Sequence, residues 1–255
     1  MFRLRHVVAI TLCLCAAGPV AYAQSTGGKR PSGREPARLS YVSPAVRTQA
    51  QGRREWYEAL PDQPVERNVR IATGARGGAE LAIGDRLRIQ LEPETLLGVR
   101  RLPRGALGTG EVSLLAGTLQ VELVDGADIG PLIVHTPGGD LRLRGTVARI
   151  AVDTQGQTAL SVYQGTIGVR TRGVEVPLIA GLGTVLLPGQ IDMRPRQLPA
   201  APTWLDAGET GRARVALSHG SLKGAAAQAE LSLAFTHVPG AVRYRVELAP
   251  DPQFH

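Results

Sequence analysis

The side chains able to do chemistry are few and scattered. Beyond the first residues the histidines are His135, His219, His237 and His255. None stands in an H-x-H or H-x-x-x-H pair, so no zinc-ligand spacing is present. His135 precedes Thr136-Pro137 at an expected strand end, where a structural histidine is the expectation. Ser218-His219 sets a hydroxyl beside a base, but no carboxylate completes a relay, and such relays are defined in space rather than by adjacency. Gly105-Ala106-Leu107-Gly108-Thr109-Gly110 is glycine-rich like a phosphate loop. It lacks the Lys-Ser/Thr pair, and no helix follows to aim its N-terminus at a phosphate, so a flexible turn is expected. Asp125 and Asp128 share one turn and Asp153 sits in another, without the alternating carboxylates of a calcium loop. Arg144-Gly145-Thr146 resembles an adhesion tripeptide only on its surface, since its third residue is not acidic. The reading is a non-enzymatic protein with no catalytic residue, no metal and no cofactor.

Arginine is the residue that carries a binding hypothesis. The chain has a formal charge of +7, and its only lysines are Lys29 and Lys223. Arg86 and Arg88 stand two apart on one expected strand, and Arg142 and Arg144 on another. Residues two apart on a strand point the same way. If the strands stack, these four form a basic stripe able to grip carboxylates or phosphates in bidentate fashion. Arg100, Arg101 and Arg104 cluster in a loop nearby.

The elements that must position them are short. Residues 131–170 alternate apolar and polar side chains in runs of strand length, cut at Pro137-Gly138-Gly139, Gly145, Gly156 and Gly165. Glu80 to Leu91 predicts a hairpin turning at Gly84-Asp85. Further strands are expected at Leu96–Val99, Val112–Leu115, Leu119–Val124, Leu132–His135, Leu141–Leu143, Val147–Val152, Ala159–Tyr163, Ile167–Arg170, Val174–Leu178 and Thr184–Leu187. Gln49 to Leu60 is expected to be a turn with a brief helical piece. The pattern predicts an all-β fold, solenoid-like or sandwich-like. Its expected core is Leu81, Ile83, Leu87, Ile89, Leu91, Leu119, Val121, Leu123, Val134, Leu143, Ile150, Val152, Leu160, Val162, Ile167 and Val169. Gly74, Gly117, Gly145, Gly165 and Gly181 are expected to serve the backbone rather than a site.

The ends divide the chain further. Arg3 and Arg5, the apolar run Val7 to Ala17 and Ala21-Tyr22-Ala23 have the form of a signal peptide over residues 1–23, cleaved before Gln24. The apolar run is shorter than a bilayer requires. Leu12 and Leu14 precede Cys13 and Cys15, unlike the small residue before a lipidated cysteine. Both cysteines of the chain lie in this segment, so the mature product would have no thiol chemistry. Loss of Arg3 and Arg5 lowers the net charge by two. No transmembrane segment is expected in the mature chain. Residues 24–37 read as a disordered leader, 38–193 as one β domain and 194–203 as a Pro-rich linker. In residues 204–255 strands are expected at Val215–Leu217, Leu231–Phe235 and Tyr244–Leu248, with no closing strand, as in an incomplete or truncated sandwich.

Three groups of residues resemble the FecR family. Arg38-Leu39-Ser40-Tyr41-Val42-Ser43 with Trp56 resembles its opening. Ala72-Thr73-Gly74-Ala75-Arg76-Gly77-Gly78-Ala79-Glu80-Leu81, with the leucine-rich pair ending at Thr95, resembles its "TG…A-E-L" segment. Val134-His135-Thr136-Pro137-Gly138-Gly139, Arg144-Gly145-Thr146 and Val162-Tyr163-Gln164-Gly165-Thr166-Ile167 resemble its "V-T-P-x-G … R-G-T … V-x-x-G-x-V" core. The likeness covers residues 38–193. Phe235, Pro239-Gly240-Ala241 and Tyr244 to Ala249 are similar to the opening of a fibronectin-type III module.

The resemblance implies a periplasmic β module that relays signals. Its best-known relatives carry a cytoplasmic segment and a membrane helix, and pass a signal from an outer-membrane transporter to a sigma factor. With a signal peptide instead, this chain is not expected to touch a sigma factor directly. The expected function is an envelope sensor or scaffold that binds an envelope protein or acidic envelope polymer, with no nucleic acid. Strand addition at an open edge is one expected mode. The alternative is a structural envelope protein binding peptidoglycan or another glycan; a hydrolytic enzyme ranks below both.

Overall fold

The computed structural model describes residues 6–13, 36–103, 105–124, 129–190, 193–200, 212–218, 228–234, 236, 238 and 241–249. Its elements are β1 (His6–Cys13), β2 (Arg38–Val42), β3 (Val46–Gln49), β4 (Tyr57–Glu58), β5 (Val69–Thr73), β6 (Ala79–Ile83), β7 (Leu87–Leu91), β8 (Leu96–Arg101), β9 (Gly110–Leu123), β10 (Leu132–Thr136), β11 (Gly139–Val152), β12 (Thr158–Thr171), β13 (Val174–Ile179), β14 (Leu182–Leu186), β15 (Arg196–Gln197), β16 (Arg212–Ser218), β17 (Gln228–Ala234) and β18 (Ala241–Ala249). The described residues are all-β. The chain divides into two compact units, Gly28–Leu198 and the two terminal segments Met1–Gly27 and Pro199–His255.

In the larger unit fourteen strands form one continuous hydrogen-bonded sheet. It branches, because β9, β11 and β12 are each fourteen residues long and serve two neighbourhoods. The first half of β9 pairs with β8 and β10, and its second half with β7 and β11. Likewise β11 meets β10 at its start and β9 at its end. The first half of β12 meets β14 and its second half β13. Two leaves result. One runs β4-β3-β5-β8-β9-β10-β11-β12-β13, and the other β2-β6-β7-β9-β11-β12-β14-β15.

The burial pattern shows how a strand changes leaf. In β9 the buried side chains are Val112 and Leu114, then Leu119, Val121 and Leu123. In β11 they are Leu141 and Leu143, then Ala148, Ile150 and Val152; in β12 Leu160 and Val162, then Ile167 and Val169. The alternation skips a step in each, at Gly117 (φ 88°), Gly145 (φ 55°) and Gly165 (φ 74°). Gly145 and Thr146 oppose Gly165 alone, a bulge with a left-handed glycine. The extra residue flips which side chains point inward, so both halves feed one core. At Gly165 a Cβ would collide with the carbonyl of Gly145, which leaves glycine as the fitting residue.

These bends interrupt ladder hydrogen bonds, and buried threonines replace them. Thr95 Oγ1 donates to Thr118 O (3.1 Å) and accepts from Thr118 N–H (2.9 Å), beside Gly117. Thr73 Oγ1 donates to Glu92 O (2.7 Å) and accepts from Thr95 N–H (2.9 Å). Thr146 Oγ1 donates to Arg144 O (2.9 Å) at the second bend. An unpaired buried backbone group is costly, so these hydroxyls are structural.

Every residue named for the core from sequence lies in it. Two expectations change. Six strands expected as separate are three, because a glycine at positive φ bends a strand without ending it. The brief helical piece in Gln49–Leu60 is absent: Tyr57 and Glu58 pair with Thr48 and Arg47 instead. In the smaller unit, strands occupy all three places expected after residue 204; β16 and β17 form an antiparallel pair. Residues 1–23, expected as a cleaved signal peptide, contribute β1, which lies parallel to β18.

Replacing Gly165 by Ala should lower unfolding free energy by about 1–3 kcal/mol, as expected for a forced left-handed residue. Thr95→Val should cost about 1–3 kcal/mol by orphaning the Thr118 N–H, while Thr118 O keeps the Glu92 N–H. Urea unfolding followed by circular dichroism measures both; unchanged midpoints would contradict the role assigned to the bends.

Candidate functional site: two charged faces and a basic groove

With both leaves turned inward, the outward side chains are what a partner meets. On the first leaf one row crosses eight strands: Gln49, Arg70, Gly98, Ser113, His135, Asp140, Arg170 and Glu175 are successive cross-strand neighbours. Two ion pairs lie along it. His135 Nδ1 sits 2.8 Å from Asp140 Oδ1, and Arg170 Nη2 donates to Glu175 Oε2 at 3.0 Å. Residues 135 and 140 meet because they flank the tight turn at Pro137-Gly138. Their five-residue spacing was the available sequence signal, and sequence reasoning missed it.

Ser113, His135 and Asp140 place hydroxyl, imidazole and carboxylate side by side. The second ring nitrogen of His135 is buried and has no hydrogen-bond partner, so the Ser113 hydroxyl does not reach it. Without that bond no nucleophile is activated. Among the described residues, no group of three His, Cys, Asp or Glu gathers as a metal site would require.

A groove of about 490 Å³ opens on the same face. Gly98 and Ser113 give its floor, Arg53, Arg70 and Arg100 its basic margin, and Leu115 an apolar shelf that is 47 % exposed. Arg100 approaches Glu111 only to 3.9 Å, while Arg101 holds the same carboxylate at 2.5 Å.

The second leaf carries a different cluster. Arg149 donates from Nε and Nη2 to both oxygens of Glu92, at 3.1 and 3.0 Å, and each side chain is only 17 % exposed. This fork-to-fork geometry is the strong form of the pair. Tyr163 lies beside it. Its phenol pKa is raised, first by burial and then by the Glu92 charge, against the opposing pull of Arg149 and a hydrogen bond with Ser161.

The four arginines singled out from sequence are split. Arg86 lies in the turn before β7 rather than on the strand, and Arg88 stands across from Glu122 of β9. Both are engaged with other groups and half-buried. Arg142 and Arg144 are exposed on the first half of β11. Arg86 and Arg144 approach one corner, since Arg86 O accepts from Val124 N–H while Leu123 faces Thr146. Arg142 lies farther out on the first leaf.

The edges of the fourteen-stranded sheet are poor docking places. β4 and β15 are two residues long. β2 is covered by the following loop, as Leu39 N–H donates to Gln63 O (2.9 Å) and Leu39 O accepts from Asp62 N–H (2.8 Å). β13 is longer, but Ala180 N–H bonds Gly165 O, so by alternation Pro177 sits where the free edge needs a donor.

Residues 69–168, which span both leaves and all three bends, match the family model described as "FecR protein". This stretch is similar to FecR domains. No curated protein matches the chain. Two solved structures of a protein described as "a putative anti-sigma factor from Parabacteroides distasonis" are similar, at 15 % and 14 % identity and a TM-score of 0.42 each. The likeness covers 50 % of this chain and 59 % of theirs, so it spans little more than half their length. A FecR domain fits a regulatory, signalling-type protein. No described helix is long and apolar enough to cross a membrane.

Because the Tyr163 phenol is held protonated in the fold, stability is fully present below the ordinary tyrosine value of about 10 and should decline as pH rises beyond it, where the unfolded chain ionises first. Titration at 295 nm should show one late-ionising tyrosine that Tyr163→Phe removes. If the variant's curve is superposable on the parent's, the buried-phenol account is wrong.

Proposed function

We propose that this protein is a non-enzymatic binding module of the cell envelope, a sensor or scaffold that engages another envelope protein. The single observation that carries the reading is the FecR match over residues 69–168. We read residues 1–23 as a cleaved signal peptide that delivers the module to the periplasm. The strands of residues 212–249 we read as the start of a fibronectin-type III-like module.

The module binds through its faces. Its exposed outer surfaces carry guanidinium groups, and the edges suited to strand addition are short, covered or interrupted by proline. Arg86, Arg88 and Arg144 around the corner where β7, β9 and β11 meet, with Arg142 farther out on β11, are read as contacts for acidic partner groups. Contacts of this kind steer association and fix orientation.

Affinity capture from an envelope extract with the mature chain as bait, followed by mass spectrometry, tests the reading. A specific envelope protein should be enriched, and conversion of Arg86, Arg88, Arg142 and Arg144 to Gln should reduce its yield several-fold at low salt. Retention on purified sacculi with no protein captured would replace this reading by a glycan-binding one. Equal yield from the four-arginine variant would remove the stripe while leaving the module's role intact.

A further inference from the structure

The groove over Gly98 has no explanation in the fold. Gly98 is in the middle of β8, where glycine weakens a strand. Its φ lies outside the left-handed region, and a Cβ there would meet nothing closer than Ser113 Cβ and O at 3.8 Å, an ordinary contact. This contrasts with Gly165, where the backbone forbids any side chain. The missing side chain at 98 therefore creates space rather than relieving strain.

What surrounds that space is charged in one sense. Arg70 and Ser113 flank Gly98 on the neighbouring strands, and Arg53 and Arg100 complete the margin. No Asp or Glu lines the groove. Neither Arg53 nor Arg70 has a charged partner among the described residues, and Arg100 shares a carboxylate that Arg101 already holds. The polar rim is set in advance: Asn68 Nδ2 donates to Gln51 Oε1 at 2.7 Å, and Gln49 Nε2 to Arg54 O at 3.1 Å. Unspent donor capacity is left on the guanidinium groups. Leu115 stands two residues beyond Ser113 on the same face, half-exposed.

We infer that this groove is a carboxylate-binding subsite that takes an acidic side chain from an extended segment of a protein partner, with an apolar side chain two residues away resting on Leu115. The proposal rests on the envelope-protein reading above and names the chemistry of its contact. The two-residue spacing follows from the period of an extended chain, in which alternate side chains share a face. A concave site with one apolar shelf suits a single side chain and its neighbour. Fork-shaped donors match the planar carboxylate.

The test uses the purified full chain and a blocked pentapeptide carrying Glu and Leu two positions apart, with binding read by calorimetry at low salt. The peptide should bind, and its affinity should fall about tenfold or more with Arg70→Gln and with Gly98→Val, which fills the floor at a position with room for a Cβ. Arg76→Gln, on a distant turn, should leave affinity unchanged, and a peptide with Gln for Glu should bind far more weakly. If Gly98→Val does not fold, the Arg70→Gln variant decides. No binding by the parent chain, or full affinity in Arg70→Gln, overturns the proposal. So does binding to phosphatidylglycerol vesicles that is lost in the same variants while the peptide is ignored. Envelope capture that survives Gly98→Val and Arg70→Gln would sink the groove and leave the envelope-protein reading standing, whereas an empty capture with intact peptide binding would do the reverse.

Discussion

Three strands must belong to two leaves at once, and the rest of the molecule follows from how they manage it. A strand that passes between packed leaves has to bend while keeping its apolar side chains inward. A residue in the left-handed region bends the strand at Gly117, Gly145 and Gly165, and the inward alternation shifts by one step across each. Each bend leaves backbone donors and acceptors without ladder partners, and Thr95, Thr146 and their neighbours supply hydroxyls in their place. Burial on either side of the bends then merges into one core, with Leu119, Leu143, Ile150 and Ile167 fully enclosed. The hydrophobic term supplies the stability; the glycines and threonines decide that it is gained in this shape and no other.

That division explains what was legible in the sequence. Alternation identified the buried side of each run, because period two needs only local information, and the core residues from Leu81 to Val169 came out of it. The same alternation made Gly145 and Gly165 read as ends of strands, since a local pattern cannot distinguish a bend from a stop. The candidate site was harder. Arg86 and Arg88 were placed on one strand by spacing, but the hairpin turn takes Arg86. Arg53, Arg70 and Arg100 come together only through the pairing of β5, β8 and β9, which spacing along the chain does not encode. Gly98 was a glycine inside a strand, a signal present in the sequence and passed over among many turn glycines.

The two outward faces are unlike. On the second leaf Arg149 and Glu92 are locked to each other, with the partly exposed Tyr163 beside them. The first leaf pairs His135 with Asp140 and Arg170 with Glu175, while Arg53 and Arg70 have no acidic partner among the described residues and Arg100 only a distant share of Glu111. Charge that is already neutralised contributes little to recognition, while guanidinium groups facing an open groove retain most of their capacity for it. The two faces of the sheet thus differ in how much of their charge is already paired.

A polypeptide so rich in β-structure lives close to a hazard, the endless stacking of one molecule's border onto the next. In the fourteen-stranded sheet Pro177 withholds a donor at the longest open border, and the other margins are two residues long or wrapped by loop. Fibre growth needs a continuous rail of backbone groups, and the fourteen-stranded sheet offers no long one. Within residues 28–198, stacking of that kind finds no long border to start from, which leaves contacts to the outward side chains.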